Sequence, residues 1–356
     1  MFRSLPKIPT YLRTAAIALA SLLAVLAGAA SAQTPSPALL VLEKNDNMMA
    51  IVDPATFKIV GRVPSGPDPH EIEASADGKL AYISNYGGLD SSFNTISIVD
   101  VAEKKALPPI QLGALHSTHG LCLAGGKLYF TAETNKVIGR YDPASHTVDW
   151  ILGTGQDRIF TSNVNSGTIS IIQRVEMPAF APPPGASPGG APPPGSPQGT
   201  PRKTWMTTNI QSGHGVEGFD VSPDGRQIWG ANAQDGTVTV IDVETKKATG
   251  TFPISVDHAN RLKFTPDGKH VLISGLGPGS GSGANNLIVL DTTTHQEVKG
   301  FALGGGSAGI LIIPDGSRAY VAVSSKDKVV AIDLKKLEVI GELPTGKNPD
   351  GLAWAK

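Results

Sequence analysis

From about residue 38 onward the chain reads as short stretches in which apolar and polar residues alternate, separated by clusters rich in Gly, Asp, Asn and Pro. "TVTVIDV" (237–243) and "KVVAIDL" (328–334) typify them: short and β-branched, as half-buried antiparallel strands are. No stretch of helical period long enough to matter follows residue 32. The stretches recur in a fixed order. An apolar strand, an Asp-Gly turn, a β-rich strand, a polar turn, a strand ending in Asp, a short turn and a fourth strand make one unit. The clearest copy is 218–254, with others at 71–112, 120–152, 261–303 and 309–344. Asp-Gly at 77–78, 224–225, 267–268 and 315–316 supplies the positive φ of a tight hairpin.

Four strands per unit at a spacing in the forties predicts an all-β propeller of four-stranded antiparallel blades. The two ends predict its closure. Residues 38–63 hold three strands and lack a first, whereas 350–355 hold one strand that reads as a first. Paired, they complete one blade of seven. One interval breaks the rhythm. Tyr82 to Tyr129 is 47 residues, Trp229 to Leu272 is 43 and Leu272 to Tyr320 is 48, but Tyr129 to Phe160 is only 31. A first strand and its turn are missing there, so blade 4 is expected to have three strands, roughly 158–163, 167–173 and 204–210, without the innermost. Two insertions interrupt the pattern. The Pro/Gly-rich stretch 178–201 cannot pair as a strand and is expected to be a disordered loop within blade 4; 275–283 is expected to be a flexible loop in blade 6.

"YISN", "FTSN" and "GAN", followed by "NTISIVD", "GTISII" and "GTVTVID", resemble the Tyr-Val-Thr-Asn and Asn-Thr-Val-Ser-Val-Ile-Asp elements of the YVTN-repeat β-propellers, secreted bacterial seven-bladed proteins. The resemblance spans essentially the whole chain after residue 32 and implies fold and export rather than an activity. "HGLCLAGGKLYFTAETNKVIGRYDP" (119–143) is also similar to a repeat of the streptogramin B lyases, metal-assisted enzymes on the same fold. Their channel Glu-x-His pair does not occur in this sequence. The sugar-lactone hydrolases share the fold and hold a divalent cation with channel Glu, Asn and Asp, groups similar to Glu71, Asn85, Glu217 and Asn232.

Composition adds the compartment. Arg3, Lys7 and Arg13, the apolar run 15–30 and the small residues 30–32 read as a signal peptide with cleavage after Ala32, leaving residues 33–356 as one periplasmic or secreted domain with no membrane span. Of 30 Lys+Arg and 31 Asp+Glu, three basic and no acidic residues leave with the signal, so 27 face 31, a net charge of −4. No basic run remains, which argues against nucleic acid as a partner. Cys122 is the only cysteine; no internal disulfide can form, and its apolar setting predicts a buried, inert thiol. A monomer is expected.

Candidate chemistry follows from position within the repeat, because first-strand starts and middle turns line the mouth of a propeller channel. Of eight histidines, His70, His116, His119, His214 and His258 fall at or just before first strands, as do Asp68, Glu71, Glu217, Asp257, Asn260, Arg261 and Asp350. Middle turns add Asn85, Tyr86, Glu133, Asn135, Asn163, Asn232 and Asp235. The binding candidates are therefore His70, Glu71, Asn85, His119, His214, Glu217, Asn232, His258, Arg261 and Asp350. His116, His119, His214 and His258 are the candidate ligands for a divalent metal ion. The leading expectation is a module that binds a small molecule or a protein. The alternatives are a metal-assisted lyase or lactonase at the mouth, and a scaffold presenting the Pro-rich loop to a partner.

Overall fold

The computed structural model describes residues 34–88, 91–151, 158–177, 202–277 and 285–356. They form seven antiparallel sheets, each a blade, and no α-helix. Among these residues no helix is long and apolar enough to cross a membrane. Six sheets have four strands, consecutive in the chain in five of them and joining the last strand to the first three in the sixth; the blade built around Arg158–Asn163, Thr168–Met177 and Arg202–Gln211 has three among the described residues. That is the shortened blade the 31-residue interval predicts. Residues 152–157, between this blade and the one before it in the chain, lie outside the described residues, as do the Pro-rich stretch 178–201 and most of the 275–283 loop.

The chain ends meet in blade 1, where Pro349–Ala355 pairs with Ala38–Glu43 in the register Leu39 to Trp354 and Val41 to Leu352. Backbone groups reinforce the seam: Gly346 N donates to Glu43 and Lys347 N to Asp46, both at 2.6 Å. Between blades, large side chains fill the wedge. Trp229, Tyr320, Phe130, Leu39, Leu40 and Leu42 are fully buried, and each apolar one contributes ~1.5–3 kcal/mol by leaving water. Trp229 meets Phe264 of the next blade edge-on at 5.7 Å, and Tyr320 stacks on Trp354 at 6.1 Å. The aromatic rhythm in the sequence is thus an inter-blade packing rhythm.

The Asn that closes each "YISN"-type strand has a structural task. Asn85 donates to Ser65 O at 3.2 Å and accepts from the hydroxyls of Thr95 (2.8 Å) and Ser97 (2.9 Å). Asn232 donates to Thr237 and Thr239, each at 3.0 Å, and accepts from Ser212 at 2.9 Å. These asparagines lock the second strand to the Thr-x-Ser/Thr strand after it. That linkage explains why "N" and "NTxS" occur together.

Candidate functional site

Five inner strands on the candidate face are each entered through a residue in the left-handed region: Asp68 (φ 43), Ser117 (φ 57), Gly215 (φ 70), His258 (φ 50) and Asn348 (φ 53). Directly afterwards the strand bulges. Pro69 pairs with Asn85 and Ile72 with Ile83, so His70 and Glu71 together oppose Ser84 alone. In the same way His119 and Gly120 oppose Thr131, Glu217 and Gly218 oppose Ala231, and Asp350 and Gly351 oppose Leu42. In blade 6, Asn260 is the extra residue before Arg261. A regular strand sends neighbouring side chains to opposite faces, whereas a bulge re-aims them. That is how the adjacent His70 and Glu71 both serve one site. The amide freed by the bulge is satisfied locally, Glu71 N by Ser84 Oγ at 2.9 Å and Gly120 N by Thr131 Oγ1 at 2.8 Å.

The bulge residues meet at the channel mouth. His70 Nε2 lies 2.8 Å from His119 Nε2, and the two rings are edge to face at 4.2 Å. Tyr86 stacks on His70 at 5.3 Å and sets its ring edge-on to His119 at 4.7 Å, while its hydroxyl donates to Glu133 at 3.0 Å. His70 Nδ1 faces both Asp350 Oδ2 and Lys44 Nζ at 2.8 Å. One ring nitrogen cannot donate to a carboxylate and accept from an ammonium at once. We assign the proton to Nδ1, bonded to the deeply buried Asp350. Lys44 then balances Asp350 (3.6 Å) and Asp68 (3.7 Å) by charge. Beside this group Arg261 bridges Glu71 (2.7 Å) and Glu217 (3.0 Å), and Asn260 also donates to Glu217 at 2.8 Å.

Burial and charge tune these groups. Burial alone would raise the Asp350 carboxyl, but the His70 hydrogen bond and the Arg261 and Lys44 charges hold it well below the ordinary carboxylate range. Burial above all, and the nearby Arg261 charge, push His119 well below the usual histidine value, so it is neutral near pH 7. Burial works against the Arg261 charge, yet Glu71, Asp350 and Glu217 keep the guanidinium firmly protonated. Burial and the Glu133 charge raise Tyr86, whose phenol stays a donor.

Farther along the same inner strands lies a second layer. Burial pushes Glu73 up to about 7, against the pull of the Lys263 charge. Cys122 belongs to this layer; burial and then the Glu73 charge raise its thiol. It is nevertheless solvent-exposed rather than sealed in a core as its apolar neighbours led one to expect. Enclosure by the channel wall accounts for both observations.

The sequence candidates therefore separate. His70, Glu71, His119, Glu217, Arg261 and Asp350 come together; the other four do not. His214 precedes the left-handed Gly215, two residues short of the bulge, and its 77% exposed ring pairs with Asp235 at 2.9 Å on the rim. His258 is itself the left-handed residue, so the turn uses it for its backbone. Asn85 and Asn232 are fully buried and spent on the hydrogen bonds described above. Of the four metal candidates only His119 enters the cluster. His116 turns away, with its amide bonded to Asn135 Oδ1 (2.8 Å) and its ring to Ser92 O (3.1 Å). Sequence reasoning missed Lys44 altogether, since it lies in the single-turn helix Lys44–Asp46, outside the first-strand positions searched.

No family model matches the chain, and no curated protein matches it either. Solved structures do resemble it in fold. A functionally unknown protein from Desulfotomaculum acetoxidans superimposes with a TM-score of 0.63 at 11% identity, covering 89% of this chain and 98% of that one. A candidate 6-phosphogluconolactonase from Bacteroides uniformis gives 0.61 at 13% identity, covering 89% and 99%. Another from Bacteroides fragilis gives 0.60 at 15%, covering 91% and 99%. These likenesses are to propeller-like proteins and establish the fold.

Proposed function

We propose that the chain is exported and works as a binding module that takes a small polar ligand at the mouth of the propeller channel. One observation carries this reading: bulges in separate blades aim His70, Glu71, His119, Glu217 and Asp350 at a common point beside Arg261 and Tyr86. The mouth combines carboxylate acceptors, a guanidinium donor and the faces of Tyr86 and His119. That mixture suits a polyhydroxylated molecule, whose hydroxyls both donate and accept. Export rests on the basic and apolar composition of residues 1–32.

Isothermal titration of the metal-free protein with a panel of aldoses, aldonic acids and their lactones tests the reading. Saturable binding that weakens at least ~10-fold in Tyr86→Ala, a loss of ~1.4 kcal/mol or more, and persists after deletion of residues 178–201 supports it. No binding by any panel member, or binding insensitive to Tyr86→Ala, overturns it. Acid release from a lactone in a pH-stat would move the assignment to a lactonase. Amino-terminal sequencing of protein from the periplasm or medium checks export, with Gln33 the expected first residue.

A further inference from the structure

We propose that His70 Nε2, His119 Nε2 and the Glu71 carboxylate form a binding site for one divalent first-row transition-metal ion. The proposal rests on the reading of the mouth as a small-ligand site and names a ligand for it. The three donor atoms all lie within 4.8 Å of one another. Both imidazoles turn Nε2 inward and are supported from behind. Asp350 Oδ2 sits 2.8 Å from His70 Nδ1, and Glu133 Oε1 sits 4.0 Å from His119 Nδ1, itself held by the Tyr86 hydroxyl. Asp350, within hydrogen-bond reach of His70 Nδ1, fixes the His70 tautomer with the lone pair on Nε2 and makes that nitrogen a better donor, whereas Glu133 at 4.0 Å supports His119 by charge alone. Tyr86 packs against both rings and sets their angle. Arg261 holds one Glu71 oxygen at 2.7 Å, which leaves the other for the ion.

Charge favours a cation here. The carboxylates of Asp68, Glu71, Glu133, Glu217 and Asp350 surround the site, against the two fixed cations Lys44 and Arg261. A direct His70–His119 hydrogen bond is the competing explanation for the short contact; it uses one shared proton, which an ion would replace. The spacing also speaks to the kind of ion. Donors 2.8 Å apart, each at a metal–nitrogen bond of ~2.0–2.1 Å, subtend about 85–90°. That is the angle between adjacent ligands in a tetragonal or octahedral field. A tetrahedral ion would need the nitrogens ~3.3–3.4 Å apart at the same bond lengths. The site therefore fits Cu(II) or Ni(II) better than Zn(II), and its nitrogen donors disfavour Ca(II) and Mg(II).

The experiment uses the untagged mature chain, stripped with chelator and titrated separately with Cu(II), Ni(II), Zn(II) and Ca(II). The expected result is one Cu(II) per chain, with a tetragonal electron-paramagnetic-resonance spectrum split by two nitrogens. Affinity should fall at least ~100-fold in His119→Ala and in His70→Ala, fall ~10-fold in Glu71→Gln, and stay unchanged in His214→Ala and His116→Ala. Circular dichroism establishes that each variant is folded, and Glu71→Gln serves as the milder probe if a histidine variant is not. Absence of stoichiometric binding overturns the proposal, as does binding that survives both histidine substitutions, or binding that is lost with His214. The sugar-acid titration is run on metal-free protein, so organic binding without metal binding would sink the metal site alone. Metal binding without organic binding would sink the ligand reading alone.

Discussion

Replacing Glu73 by Gln should stabilise the protein in a strictly pH-dependent way. In the folded chain the Glu73 carboxyl titrates at about 7 because burial disfavours its charged form, against the ordinary 4.5. Below about pH 4.5 the carboxyl is protonated whether the chain is folded or not, and the charge costs nothing. Between 4.5 and 7 the unfolded chain ionises first, so wild-type stability declines as pH rises. Above about 7 the full difference is lost, at most ~3.5 kcal/mol at ~1.4 kcal/mol per pH unit, and ~2–3 allowing for water in the channel. Gln mimics the protonated side chain at every pH. Urea unfolding of both proteins at about pH 4.5, 6 and 8 should give equal stabilities at the lowest value and a Gln advantage of ~2–3 kcal/mol at the highest. The Cys122 thiol provides a second readout. Glu73 helps to raise it, so its reaction with a disulfide reagent near pH 8 should quicken in the variant. A stability difference that is flat with pH, or that favours wild type at pH 8, would refute the reasoning.

Other substitutions probe the frame of the site. Asn85→Ala removes a donor and an acceptor serving Ser65, Thr95 and Ser97; urea unfolding should show a loss of ~2–3 kcal/mol with metal affinity unchanged. Gly218→Ala would place a methyl 2.5 Å from Asn260 O and 2.7 Å from Arg261 Cα. Backbone must move, and a cost of ~1–3 kcal/mol by thermal unfolding is expected. Arg261→Met strands the Glu71 and Glu217 charges, each side chain about a third exposed. A loss of ~2–3 kcal/mol in urea unfolding near pH 7 is expected, below the cost for a fully buried pair.

The blades were legible because a strand has period two and an Asp-Gly hairpin has few alternatives; Gly78, Gly225, Gly268 and Gly316 all take the positive φ their turns require. Even the shortened blade followed from counting, since strand length and turn length leave little slack. The site was legible only to within a residue or two. His214, His258 and His119 occupy similar places in the text of their repeats, but a side chain's direction at the channel is set by its offset from the left-handed residue. His119 is two beyond Ser117, His258 is that residue, and His214 comes one before it. The bulge that aims Glu71 beside His70 has no signature in apolar–polar alternation, because it breaks that alternation. Lys44 reaches the mouth from a turn in a different blade, a long-range contact that no local pattern encodes.

The capped bulges have a consequence for how such a mouth can change over time. Ser84 and Thr131 satisfy the bulge amides from the second strand, so the blade's own hydrogen bonding makes no demand on the side chains at positions 70, 71 and 119. Those positions can be rewritten without redesigning the blade that carries them. What limits a new occupant is its neighbour across the channel, through charge and volume. The mouth therefore behaves as a small alphabet shared among blades, in which substitutions are coupled around the ring and independent along each strand.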